Sequence, residues 1–169
     1  RSPAFIIAEI GINHNGSLGS AKQLVDEAVL AGADCAKFQM RHLKEIYQNE
    51  GNPNDPSEDL GSQYILDVIS RSQLSVNEMF ELFDYCRDNK ILPLCTPWDV
   101  FSVNALEEYG ISGYKVASAD LTNHDLIETI ARTGKPMILS TGMSSEREII
   151  ETTDLLKRLG APYILLNCN

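Results

Sequence analysis

Six short apolar runs punctuate the chain: Phe5 to Ile10, Cys35 to Phe38, Ile91 to Cys95, Tyr114 to Ala117, Met137 to Leu139 and Tyr163 to Leu166. None alternates cleanly between apolar and polar residues, which is the pattern of strands buried on both faces in a parallel sheet. Between them the apolar positions fall at helical spacing, as in Ala21, Leu24, Val25, Ala28 and Val29, and again in Ile149, Ile150, Thr153, Leu155, Leu156 and Leu159. Strand and helix thus alternate along the chain, the order of an α/β protein.

The boundary residues agree. Ser20 with Gln23, Ser75 with Glu78 and Ser145 with Glu148 fit the pattern in which a serine and an acidic or amide side chain satisfy the first backbone N–H groups of a helix. Gly32, Gly110, Gly134 and Gly160 each follow a helical stretch and precede a strand, where a helix closes most easily on a residue at positive φ. Most strand-to-strand intervals are roughly 22–29 residues, one βα unit each, but the step from the second strand to the third is about twice that. The surplus lies in Arg41 to Leu74, around the turn-rich acidic run Asn52-Pro53-Asn54-Asp55-Pro56-Ser57-Glu58-Asp59. It follows the C-terminal end of a strand, the side on which parallel α/β folds build their sites. An active-site flap and a solvent-facing insertion are both open there. Six strands and five helices fit either a doubly wound sheet or the first three-quarters of an eight-stranded barrel. No Gly-x-Gly-x-x-Gly follows the first strand, which argues against dinucleotide binding.

Composition narrows the function classes. Of 169 residues, 43% are hydrophobic and 22% charged, enough for one domain with a real core. No apolar run reaches the ~18 residues of a membrane helix, and no signal peptide is evident, so a cytoplasmic location and no membrane partner are expected. With 14 Lys+Arg against 24 Asp+Glu the net charge is −10, which repels nucleic acid and anionic membranes. An anionic ligand therefore needs a local cationic pocket. Cys35, Cys86, Cys95 and Cys168 are far apart and without zinc spacing, and read as free, mostly buried thiols. The chain starts at Arg1 and stops at Asn169 directly after an apolar run, so it is expected to be cut at its C-terminal end.

The candidate chemistry stands at the strand ends. Glu9 lies inside Ile6-Ile7-Ala8-Glu9-Ile10-Gly11, where burial without a partner would cost several kcal/mol; a functional carboxylate and a structural ion pair both explain it. Asn13-His14-Asn15-Gly16 is a polar turn that could touch a ligand, with His14 as a hydrogen-bonded loop residue the plainer reading. Lys37 in Ala36-Lys37-Phe38-Gln39 and Lys115 in Tyr114-Lys115-Val116-Ala117-Ser118 interrupt apolar strands. They could converge on a phosphate or carboxylate, reach solvent, pair with Glu9, or form a Schiff base. Leu139-Ser140-Thr141-Gly142-Met143-Ser144 ends a strand in hydroxyls and a glycine, a turn whose N–H groups could cradle an anion. In Cys95-Thr96-Pro97-Trp98-Asp99, Thr96 is a candidate donor and Trp98 a packing residue.

Taken in order, Ala8-Glu9-Ile10-Gly11-Ile12-Asn13-His14-Asn15-Gly16-Ser17, Gly32-Ala33-Asp34-Cys35-Ala36-Lys37-Phe38-Gln39, Cys95-Thr96-Pro97, Tyr114-Lys115-Val116-Ala117-Ser118 and Leu139-Ser140-Thr141-Gly142-Met143 resemble the N-acetylneuraminate (sialic acid) synthase family from about Phe5 to Asn169. The resemblance implies a (β/α)₈ TIM barrel, of which residues 1–169 would form a partial phosphoenolpyruvate-binding catalytic domain, about two-thirds of a barrel of roughly 250 residues. It implies condensation of phosphoenolpyruvate with N-acetylmannosamine, or a related 2-acetamido sugar or its 6-phosphate, with release of phosphate. Lys37, Thr96, Lys115, Ser118 and Ser140 would bind phosphoenolpyruvate, while Glu9, Gln39 and Asp120 would face the sugar; Glu9, Lys37, Lys115 and Asp120 would be the catalytic set. It also implies a divalent metal, Mn²⁺ or Mg²⁺, and a homodimer when complete.

This chain departs from the family pattern in two places. Ala117-Ser118-Ala119-Asp120 stands where many relatives have Gly-Ser-Gly-Glu, giving a shorter carboxylate at Asp120, and Leu166-Asn167-Cys168-Asn169 stands where a His-Cys-Thr is usual. The family's metal histidines and its antifreeze-like domain would lie beyond Asn169, and His14, His42 and His124 match none of the ligands. No metal site is therefore expected within these residues, and the 169-residue chain alone is expected to be inactive. The alternatives are a pseudaminic or legionaminic acid synthase, or a non-catalytic barrel fragment serving as a binding module.

Overall fold

Every apolar run becomes a strand: β1 (Ile7–Gly11), β2 (Cys35–Met40), β3 (Leu92–Pro97), β4 (Tyr114–Val116), β5 (Met137–Ser140) and β6 (Tyr163–Leu166). The structure is a computed structural model and describes residues 3–43 and 68–168. Among the described residues, five helices stand between the strands, α1 (Leu18–Leu30), α2 (Val76–Asp88), α3 (Val100–Tyr109), α4 (His124–Ala131) and α5 (Glu146–Leu159), with a further helical turn over 68–71. The strands hydrogen-bond in chain order, β1-β2-β3-β4-β5-β6. A doubly wound sheet reverses its order at a switch point, so that alternative falls. The centre of the expected 41–74 loop lies outside the described residues.

Two of the three expected capping pairs close as drawn. The Glu78 carboxylate accepts from the Ser75 N–H at 2.8 Å and the Ser75 hydroxyl from the Glu78 N–H at 3.3 Å; Ser145 and Glu148 repeat this at 2.7 and 3.4 Å. The Ser75 hydroxyl, chiefly, holds the Glu78 carboxyl below its ordinary range, and the Ser145 backbone does the same for Glu148. Each interaction is therefore present at neutral pH and is lost as acid protonates the carboxylate. The third pair is corrected: α1 is capped by Ser17, whose hydroxyl accepts from the Ser20 N–H at 3.2 Å, so Ser20 lies inside the helix. Both serines fit the spacing, and the turn through Asn15 and Gly16, both at positive φ, puts the entry at Ser17. Replacing Ser75 or Ser145 with Ala is expected to cost about 1 kcal/mol each in urea denaturation, and Ser20→Ala distinctly less.

The chain divides into two compact units, Arg1–Ala36 with His42–Leu92, and Lys37–Arg41 with Pro93–Asn169. In the first, α1 packs on α2. The buried positions are Ala21, Val25 and Ala28 on α1 and Met79, Leu82, Phe83 and Cys86 on α2. Polar links frame that seam: Lys22 to Glu81 at 2.6 Å, and the Tyr85 hydroxyl donating to Asp26 at 2.7 Å. Asp34 ties in the start of the chain, accepting from the Ile6 N–H at 2.7 Å while its own N–H donates to the Ile6 carbonyl. Not every strand is buried on both faces, as the run pattern had suggested. β1 exposes Glu9, so the expected burial of its carboxylate is corrected.

In the second unit, β3 through β6 pair in parallel, with Cys95 opposite Tyr114, Lys115 opposite Ile138 and Ser140 opposite Leu166. Tyr114, Val116, Leu121, Ile127, Ile130, Met137, Leu139 and Leu156 are buried. Tyr114 is fully buried, yet its hydroxyl donates to Glu107, which also accepts from Lys135 at 2.6 Å, so its polar end is satisfied. On β6, by contrast, Ile164, Leu165 and Leu166 are exposed. Cys35, Cys86 and Cys95 are buried free thiols, and burial pushes Cys86 and Cys95 up to about 12. Among the described residues, no helix is long and apolar enough to cross a membrane.

Candidate active site

The C-terminal ends of β2 to β5, all within the second unit, gather most of the polar residues singled out in the sequence. Lys37 on β2 is 6% exposed, and its Nζ donates to Oγ1 of Thr96 on β3 at 3.4 Å; Thr96 is 2% exposed. Lys115 on β4 is half-buried and donates to Oγ of Ser140 at the end of β5 at 2.6 Å, and to its own strand's Val116 carbonyl at 2.5 Å. The register explains the second pair. Lys115 lies opposite Ile138, so Ser140 sits two residues further along β5, within reach of a long side chain. A hydroxyl partner orients an ammonium without cancelling its charge. The result is two lysine–hydroxyl pairs on consecutive strands, suited to an anion with more than one charged group.

The hydroxyl-and-glycine turn after β5 behaves otherwise than its sequence suggests. The Thr141 N–H donates to the Leu166 carbonyl at 3.1 Å and the Gly142 N–H to the Cys168 sulfur at 3.2 Å. Those two N–H groups are engaged by the β6 end, so neither is open to the expected anion cradle. Cys168, exposed beside it, has its thiol pulled below the ordinary range, chiefly by a hydrogen bond with Ser140.

After β4 the chain turns at once into a 3₁₀ segment, Ser118–Asp120, which carries Ser118 half-buried and Asp120 9% exposed. Asp120 Oδ1 accepts from Asn123 Nδ2 at 3.2 Å, while Oδ2 is buried with no hydrogen-bond partner among the described residues. Burial raises the Asp120 pKa above the ordinary carboxylate value; the Asn123 bond and the Arg41 charge oppose that rise, and Asp99 adds to it. Gln39, half-buried on β2, accepts on Oε1 from Arg41 Nη2 at 2.6 Å. Glu9, on β1, belongs to the first unit.

Arg41 was absent from the sequence candidates, although a signal for it exists. Side chains on a strand alternate, so Lys37, Gln39 and Arg41 share one face while Phe38 and Met40 take the other. Its guanidinium lies 4.2 Å from the Trp98 ring centre, so Trp98 does more than fill space. Asp99 was likewise missed; it caps α3, accepting from the Ser102 N–H at 2.7 Å and the Ser102 hydroxyl at 3.0 Å.

His14 and His124 are spent locally. His14 is 2% exposed and accepts on Nδ1 from the Gly16 N–H at 3.2 Å; burial lowers its pKa, which keeps it neutral. The Thr152 hydroxyl donates to the Leu121 carbonyl at 2.8 Å, so it accepts from His124 Nε2, 3.2 Å away. Among the described residues, no three His, Cys, Asp or Glu side chains converge where they could hold a metal ion. A surface cleft of about 360 Å³ is lined by His124, Glu128, Glu151, Asp154, Leu155 and Arg158, and its three carboxylates make it a poor anion site.

A model of the NeuB family matches residues 24–169 of the chain. An uncharacterized protein of Methanocaldococcus jannaschii is 40% identical over 167 residues, covering 98% of this chain and 46% of that protein. The N,N'-diacetyllegionaminic acid synthase of Campylobacter jejuni is 35% identical over 175 residues, covering 96% of this chain and 50% of the relative. Among solved structures, an N-acetylneuraminic acid (sialic acid) synthetase from Leptospira borgpetersenii superposes with a TM-score of 0.85 at 34% identity, over 99% of this chain and 54% of that one. The chain spans about half the length of the curated relatives it matches.

Proposed function

Because the chain belongs to the NeuB family, we propose that the protein condenses phosphoenolpyruvate with an N-acetylated amino sugar, N-acetylmannosamine or a related 2-acetamido sugar or its 6-phosphate, to give a sialic-acid-type product and inorganic phosphate. The observation that carries this reading is the pair of lysine–hydroxyl contacts, Lys37 with Thr96 and Lys115 with Ser140, at the ends of consecutive parallel strands. Phosphoenolpyruvate has a phosphate and a carboxylate on one small carbon frame, and two oriented ammonium groups match those two anions.

In this reading Lys37 and Lys115 hold the trianion, with Thr96, Ser118 and Ser140 donating to its oxygens, so that C3 is presented to the sugar aldehyde. A bond forms between C3 and the aldehyde carbon; water adds at C2, and the C–O bond to phosphate then breaks. Charge on the departing phosphate grows where the ammonium groups already stand, and electrostatic stabilisation of that kind lowers the barrier. Gln39, Asp120 and, from β1, Glu9 are proposed to face the sugar. A divalent ion, Mn²⁺ or Mg²⁺, the remaining strands of an eight-stranded barrel and a homodimeric assembly belong to the proposal for the whole protein. The described residues do not fit a metal.

A second reading keeps the chemistry and changes the sugar. The relative from Campylobacter jejuni is named for a diacetylated product, and Asp120, a shorter carboxylate at a sugar-facing position, would suit a different substituent pattern. Phosphate release from phosphoenolpyruvate by the full-length protein with Mn²⁺, tested over a panel of free, 6-phosphorylated and diacetylated 2-acetamido sugars, is expected to give turnover with one class. Release with none of them, from a folded protein, would refute the assignment.

A further inference from the structure

We propose that Arg41 is a positioning residue for Gln39: by holding the amide oxygen it turns the amide N–H₂ toward the sugar, so that Gln39 recognises its substrate only as a hydrogen-bond donor to an acceptor oxygen. The inference rests on the reading above, in which Gln39 faces the sugar, and it says which half of the amide does so.

A primary amide offers two donors on one side and two acceptor lone pairs on the other, and either half could meet a sugar. Arginine removes the choice. A guanidinium has donors and no acceptor, so the Gln39 atom 2.6 Å from Arg41 Nη2 must be the oxygen. The amide nitrogen is then the end left to the substrate, and the groups it can serve are a carbonyl, such as that of an acetamido group, or a hydroxyl oxygen.

Arg41 is itself held in place. Its guanidinium lies over the Trp98 ring at 4.2 Å, and the backbone N–H of Trp98 donates to the Met40 carbonyl at 3.1 Å, so ring and guanidinium are carried by hydrogen-bonded backbone at the ends of β3 and β2. Asp99 is fixed as the cap of α3, and Asp120 leaves Oδ2 buried with no hydrogen-bond partner among the described residues. The Arg41 charge lowers the Asp120 pKa and the Asp99 charge raises it, so both groups lie near that carboxyl. The spacing on β2 puts the divided roles on one face, with Lys37 for the anion, Gln39 for the sugar and Arg41 behind it.

The test measures phosphate release by the full-length protein with phosphoenolpyruvate saturating and the sugar varied, alongside thermal melting. Gln39→Glu keeps an oxygen toward Arg41 but replaces the donor with an acceptor. It is expected to raise the sugar KM about tenfold or more, with the phosphoenolpyruvate KM unchanged and the melting temperature no lower than wild type. Arg41→Met, which frees the amide to turn, should raise the sugar KM to a similar degree. Arg41→Lys, able to donate to the same oxygen, should recover part of the loss. A wild-type sugar KM in Gln39→Glu would overturn the proposal. So would an Arg41→Met defect confined to 6-phosphorylated sugars, because Arg41 would then be binding substrate itself. Failure of the underlying reading looks different: the wild-type protein would release no phosphate with any 2-acetamido sugar, and this inference would fall with it.

Discussion

Replacing Lys115 with Met is expected to weaken phosphoenolpyruvate binding by at least two orders of magnitude, and Lys37→Met to do the same. A hydrogen bond to a charged group contributes about 1.5–3 kcal/mol, and leaving a buried anionic oxygen without its counter-charge costs more again, so a loss of about 3 kcal/mol or above is the expected scale. The net charge of −10 sharpens the effect, because the protein's long-range field repels a trianion and the local ammonium groups must overcome it. Met is one atom shorter but preserves an unbranched apolar stem, which for Lys37, 6% exposed, is most of what packs. The two variants differ in what else is disturbed. Lys115→Met removes the donor that orients Ser140 at 2.6 Å, whereas Lys37→Met breaks a longer contact of 3.4 Å with Thr96. Titration calorimetry with phosphoenolpyruvate on the full-length protein, with circular dichroism to verify folding, decides the matter. Wild-type affinity in both variants would sink the assignment of the two lysines.

Those lysines were legible because a charged residue in an apolar strand has few structural excuses, and because strand ends in α/β proteins are where sites form. The strands were legible for a related reason: short runs such as Met137 to Leu139 are too brief for helices and are bounded by a glycine turn before and a serine after. Glu9 shows the limit of the same logic. Its neighbours are apolar, but β1 leaves the residue exposed, and whether one face of a strand is covered depends on what packs there, which no local pattern records. The entry to α1 failed for another reason: Ser17 and Ser20 both satisfy the capping pattern, and the choice is made by the preceding turn. In the hydroxyl turn after β5, the donors of Thr141 and Gly142 meet groups far along the chain, at Leu166 and Cys168, which the local run does not record. Arg41 sits one residue beyond β2 on the Lys37 and Gln39 face, three beyond the apolar run, and reads as the first residue of a loop from sequence; its contacts with Gln39 and Trp98 assign it otherwise.

Gly16→Ala is the substitution expected to cost most in stability, and a second glycine isolates why. Gly16 has φ +74° and Gly32 has φ +76°, so an alanine at either meets the same backbone penalty, about 1–2 kcal/mol. Their surroundings differ. A Cβ at Gly32 has nothing within 4 Å, whereas a Cβ at Gly16 would stand 2.3 Å from the Arg71 carbonyl oxygen and 3.4 Å from that of Gln73. The close atom is backbone, so no side chain can swing away, and either the turn after β1 or the segment at Arg71 must shift by more than half an ångström. Overpacking of that kind typically costs a further 1–3 kcal/mol. The shift would not stay local, since the Gly16 N–H donates to His14 Nδ1 at 3.2 Å and His14 is buried. Moving Gly16 therefore strips a buried imidazole, kept neutral by its burial, of its hydrogen bond. Urea denaturation of the two variants beside wild type should show Gly32→Ala destabilised by about 1–2 kcal/mol and Gly16→Ala by about 2–5 kcal/mol. Equal losses would mean that the carbonyl at Arg71 yields freely, and that the tight approach in this turn is not what requires glycine.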